Sequence, residues 1–122
     1  MSASYAQTTL RINEFMARNS STIMDEGQQF DDWIEIHNYG DQSYDLGGCY
    51  MTDDLDVPEK WQIPHDQPAV TTIPADGYLI LWADGASAEG ILHLNFKLNG
   101  DGEEIGLYSA DKGYIDSITF SG

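Results

Sequence analysis

A single cysteine, Cys49, stands among 122 residues, so no intramolecular disulfide can form and the fold must be held by its core. Basic residues are scarce as well. The five cations Arg11, Arg18, Lys60, Lys97 and Lys112 are scattered among 21 acidic residues, for a formal net charge of -16. Phosphate-backbone binding depends on clustered Lys and Arg that displace counterions, and docking to anionic lipid needs the same cluster. The expectation is no nucleic acid and no membrane, which leaves a basic partner, a polyol or a cation. No apolar run approaches the length that spans a bilayer, and residues 1–6 lack the basic region and apolar core of a signal peptide. Helical periodicity is missing throughout.

What is present is a set of short alternating segments on a length that suits one domain with one packed core. In Asp32-Trp33-Ile34-Glu35-Ile36-His37-Asn38, Ile34 and Ile36 point one way and Trp33, Glu35 and His37 the other, the period of a half-buried strand. Leu10 to Phe15 alternates in the same way and is the first strand; residues 16–30 are a loop. Further strands are predicted at Tyr44 to Thr52, with Gly47-Gly48 marking a bulge or close backbone approach, and at Lys60 to Ile63. Val70 to Ile73 follows, then the turn Pro74-Ala75-Asp76-Gly77 and the strand Tyr78 to Ala83. Because both faces of that last segment are apolar, it is expected to be the most buried strand. Leu92, Leu94, Phe96 and Leu98 alternate with polar residues and predict another strand, joined by an Asn99-Gly100 hairpin to Glu104–Tyr108. Tyr114 to Phe120 closes the chain.

Short strands with turns about every 8 to 12 residues predict an all-β protein, a sandwich or barrel. Ile34, Ile36, Leu79, Leu81, Phe96, Leu98, Ile105 and Leu107 should line its core, joined by Trp61 and Trp82. Several pieces also fall into a known order: Ile12-Asn13-Glu14-Phe15, Asp32 to Asn38, Asp45-Leu46-Gly47-Gly48, Thr52-Asp53-Asp54, Lys60 to Pro64, Ile73 to Tyr78, Trp82-Ala83-Asp84 and Asp116 to Phe120. Together they resemble the lamin-tail domain, closer to its bacterial versions than to nuclear lamins with their coiled-coil rod. The resemblance implies an immunoglobulin-like β-sandwich of about 8–9 short, mostly antiparallel strands over residues 10–120, with residues 1–9 as linker. Cys49 stands where such domains often carry Trp.

The resemblance further implies a non-catalytic interaction or spacer module of a larger secreted or surface protein, extracellular and monomeric in isolation, with a protein or polysaccharide partner. A calcium- or carbohydrate-binding accessory module of an extracellular hydrolase is the alternative, and a nucleic-acid- or protein-binding tail of lamin type the third. The family brings no catalytic residues to carry over.

The residues agree with that. His37, His65 and His93 have no zinc spacing, no Gly-x-Ser-x-Gly occurs, and Cys49 sits in apolar context, where cysteine behaves as a small hydrophobe. Acidic pairs are more suggestive: Asp25-Glu26, Asp31-Asp32 and above all Asp53, Asp54 and Asp56 supply the oxygens a hard cation such as calcium takes, although not at EF-hand spacing. The plainer reading is a solvated acidic surface, with Lys60 as the local counter-charge. Trp33, Tyr39, Tyr44, Tyr50 and Tyr114 either pack within strands or, if several share one face, form a platform for sugar rings or a partner protein.

Overall fold

The computed structural model describes residues 9–16, 32–83, 85, 88, 90–96, 98 and 102–121. Its elements run β1 (Leu10–Met16), β2 (Trp33–Asn38), β3 (Tyr44–Asp45), β4 (Tyr50–Thr52), β5 (Trp61–Gln62), α1 (Pro68–Thr71), β6 (Thr72–Ile73), β7 (Tyr78–Trp82), β8 (Gly102–Tyr108) and β9 (Tyr114–Ser121). One sheet has the order β1-β2-β7, the other β5-β4-β8-β9, and β3 pairs with β6 at one end. All ladders between these strands are antiparallel.

Side chains alternate across the first sheet in rows set by its register. Ile12, Ile36 and Leu79 are neighbours across the three strands, as are Phe15, Ile34 and Leu81, and both rows turn inward. They meet Met51, Ile105 and Leu107 of the second sheet in one core that also holds Leu46, Ile63, Ile73, Leu94, Phe96 and Leu98. Every predicted core residue belongs to this cluster or packs against it except Trp82. Trp82 is buried on the opposite side of its sheet, where the register sets it beside Trp33.

Several strand expectations change. β7 is an outer strand with Tyr78 exposed and Leu79 and Ile80 half-buried, so the most enclosed strand is β2, in the middle of its sheet. Residues 91–96 form turns and a single parallel bridge, His93 to Trp82, rather than a strand. From residue 94 on the alternation is still obeyed, with Leu94, Phe96 and Leu98 inside, whereas His93 is buried and Leu92 only half-buried, as the backbone crosses from β7 toward the second sheet. Alternation reports which side chains enter the core, and a ladder needs a partner strand besides. Accordingly β8 pairs with β4 and β9; the Asn99-Gly100 turn itself lies outside the described residues. Finally, residues 70–71 belong to α1, whose Pro68 sits at a position that needs no amide donor.

Two polar side chains hold the layers in register. Asn38, fully buried at the end of β2, accepts from Thr9 Oγ1 at 2.7 Å and Gly40 N at 3.1 Å. Its amide donates to the carbonyls of Gln42 at 2.8 Å and Ile73 at 3.0 Å, with Pro74 O at 3.3 Å. Asp116 on β9 accepts the Ile12 amide of β1 at 2.7 Å, tying one sheet edge to the other. Leu46 to Cys49 splits the predicted long strand into β3 and β4 by a turn with Gly48 at φ 89°, a region glycine enters without strain. A Cβ on Gly47 would stand 2.9 Å from the His65 backbone, so close approach is the second reason for the pair.

Leu81→Ala is expected to cost about 2–5 kcal/mol, since the side chain is fully buried. Asn38→Ala should cost on the order of 3 kcal/mol by stranding several buried backbone partners. Urea denaturation checks both, and a loss under about 0.5 kcal/mol would place either residue outside the core.

Candidate functional site

The outward face of β1, β2 and β7 carries a connected set of polar and aromatic side chains. Register places Arg11, His37 and Tyr78 in one row. His37 is buried, its ring stacked on Tyr78 with centroids 4.3 Å apart and planes at 11°. Arg11 Nε donates to His37 Nδ1 at 3.2 Å, which leaves Nε2 as the nitrogen facing Asp76 Oδ1 at 3.0 Å. A guanidinium can only donate, so in the neutral ring Nε2 carries the proton and gives it to the carboxylate. Asp76 reaches this position because the predicted Pro74–Gly77 turn holds it at φ 57°. Tyr39 completes the group: its ring centroid lies 6.4 Å from that of His37 and 5.6 Å from the Arg11 guanidinium carbon.

This is the geometry of an Asp-His pair whose third member is Arg11, a cation with no proton to surrender to a base. The lone pair that a general base would use is already taken. His37 therefore ties strand, turn and tyrosine together, and what the face presents outward is two half-exposed rings, Tyr39 at 53% and Tyr78 at 54%. Of the other aromatics singled out in the sequence, Trp33 is buried, Tyr44 and Tyr50 are half-buried, and Tyr114 is exposed beside Tyr108 on the other sheet.

The acidic loop is shaped by its own hydrogen bonds. Asp53 accepts from Lys60 Nζ at 2.6 Å, and Asp54 Oδ1 accepts the Asp56 amide at 2.9 Å. Glu104, not anticipated from the sequence, accepts the Leu55 amide at 2.9 Å. Among the described residues no group of three His, Cys, Asp or Glu side chains converges as a metal site. Asp32 lies apart from this loop, at the start of β2, and Asp25, Glu26 and Asp31 fall outside the described residues.

The remaining candidates are dispersed. His93 is buried beside Trp82, whereas exposed His65 lines an open depression of about 320 Å³ with Gln62, Ile63, Pro64 and Asp66. Cys49 is buried, and burial pushes its thiol up to about 11 and the neighbouring Tyr44 phenol up to about 12. A thiol held protonated at neutral pH is a poor nucleophile.

The family model described as Lamin Tail Domain matches residues 3–122. The chain belongs to the lamin tail domain family. Its architecture is the immunoglobulin-like sandwich of that family, and no curated protein shows significant similarity to it. In this lamin tail domain the residues behind the resemblance have structural duties: Asn38 and Asp116 tie segments together, Gly47 and Gly48 make a turn, and Pro74 to Gly77 carries Asp76 to His37.

Because Lys60 already neutralises Asp53, millimolar calcium should raise the melting temperature of this lamin tail domain no more than sodium chloride of matched ionic strength. A bound ion would add about 2.7 kcal/mol at 100 times its dissociation constant, so a calcium-specific rise that Asp54→Asn abolishes would establish a site. Alkaline pH should act through Cys49 and Tyr44. Both are raised on folding, so the folded chain keeps protons that the unfolded chain releases, and their stabilisation is complete below about pH 8.5, where the unfolded thiol begins to titrate. Urea midpoints should hold steady from pH 6 to pH 8 and then fall toward about pH 11, less steeply in Cys49→Ala. An unchanged slope in that variant would remove the thiol from the account.

Proposed function

We propose that this lamin tail domain is a non-catalytic interaction module of a larger exported protein and that its contact surface is the outward face of β1, β2 and β7. The observation that carries the proposal is the Arg11-His37-Asp76 set, whose buried histidine has both ring nitrogens occupied while Tyr39 and Tyr78 beside it stay exposed. Groups with catalytic potential are spent on holding that surface in shape. Exposed aromatic rings with polar rims are the usual chemistry of recognition.

The net charge of -16 argues against nucleic acid and anionic membranes as partners, and it favours a solution monomer through mutual repulsion. An extracellular or cell-surface setting is part of the same reading.

Amide chemical-shift mapping tests the surface directly. Titration with soluble polysaccharides, basic peptides and calcium is expected to place the footprint of any binder on Arg11, Tyr39, Asp76 and Tyr78. A footprint centred on the loop of Asp53 to Asp56, or on the second sheet around Tyr114, would move the contact surface elsewhere.

A further inference from the structure

We propose that the Tyr39 and Tyr78 face takes a neutral polysaccharide chain, an inference that rests on reading this face as the contact surface. The argument begins with the rings. Tyr78 is 54% exposed yet lies flat on His37, at 4.3 Å and 11°, so one ring face is packed and the other is offered to solvent. His37 beneath it is fixed by Arg11 and Asp76, so little freedom is left to lose when a ligand stacks above. Tyr39 is steadied in turn by the Arg11 guanidinium, 5.6 Å from its centroid.

A pyranose matches these two rings chemically. Its axial C–H groups carry slight positive charge and settle on the electron-rich face of an aromatic ring. Its hydroxyls need planar donors and acceptors near the ring edges. Arg11 supplies the donors, and Asp76, with a side chain 87% exposed, supplies the acceptors.

Charge narrows the class further. Arg11 and Asp76 face each other across His37 and offset one another, while Glu14 and Glu35 in the next row of the same face leave it acidic, like the protein of net charge -16 as a whole. Uronic-acid and sulfated polysaccharides are repelled by this face and by the protein as a whole, and the cation position beside the His37 and Tyr39 rings, which a basic peptide would need, is already filled by Arg11. A protein partner would ask for a wider apolar centre than two tyrosines and the half-buried Ile80. An uncharged sugar chain has no such objection.

Affinity gel electrophoresis of the 122-residue chain tests this with hydroxyethylcellulose, laminarin, dextran and glycol chitin as neutral probes, alginate as the anionic control and a lysine-rich peptide in a parallel shift titration. At least one neutral probe should retard the protein, with little change in added sodium chloride, and alginate should not. Tyr39→Ala and Tyr78→Ala should each weaken binding roughly tenfold or more, the scale of losing an aromatic anchor. Tyr114→Ala should leave it unchanged. Tyr78→Ala also uncovers His37, so melting curves confirm folding, and Tyr78→Phe, which keeps the ring, should retain binding within severalfold. Failure of all four neutral probes, or retardation that survives both tyrosine truncations, overturns the proposal. Binding of the lysine-rich peptide alone, mapped to these tyrosines, overturns the sugar while leaving the contact surface standing; a footprint elsewhere removes both.

Discussion

The buried carboxamide of Asn38 is the constraint on which the arrangement depends. A polar group with no exposure is tolerated only when its hydrogen bonds are made, and here both ends of the amide are engaged. The partners come from Thr9 before β1, from the loop after β2, and from the β6 end that leads into β7. Moving any of those segments by one residue leaves a donor or carbonyl stranded in the interior, at about 1–3 kcal/mol each. Apolar contacts favour compaction in general, whereas this side chain selects one compact arrangement among many.

Much of this was readable in the residues, for a physical reason. Period-two alternation is a local property, so Ile34, Ile36, Leu81, Ile105 and Leu107 could be assigned to the interior without knowing which strands pair. The turn at Pro74 to Gly77 was equally local and closes as its residue types require. Pairing is nonlocal, and that is where expectation and structure part. Residues 92–98 have the alternation of a strand and no ladder, and β7 has the apolar content of a central strand and an outer position. Trp82 shows the same limit, since whether a large residue lies between the sheets or outside them depends on register across β2.

The candidate surface was less legible still. Arg11 looked like one of five scattered cations, Asp76 like a turn residue, and Tyr78 like part of an apolar strand. They meet only because the register aligns Arg11, His37 and Tyr78 and because a left-handed aspartate turns its carboxylate back onto the ring. A weak sign was available in the outward parity of Arg11 and His37 on their strands, but nothing in the sequence says that the strands are neighbours at those positions. The acidic loop had two readings in the sequence, an ion site or a solvated surface with Lys60 as counter-charge. Closely spaced carboxylates suggest an ion, and the hydrogen bonds show Asp53 on Lys60 and Asp54 bonded to a backbone amide.

The same devices that hold the core in register assemble the surface. Asn13 enters as an extra residue where the β1–β2 register shifts, and its amide donates to Glu35 at 2.8 Å, easing the approach of Glu14 and Glu35, which lie directly opposite. Asp116 then fixes Ile12 from the other sheet. With Ile12 held inward, Arg11 must point outward, beside His37. A one-residue slip of β1 would put Arg11 into the core and break the row that supports Tyr39 and Tyr78. Such a slip would therefore be costly to the fold before it was costly to recognition. The surface inherits its rigidity from the interior, and for this reason two tyrosines on a small sandwich can act as a shaped platform rather than as loose side chains.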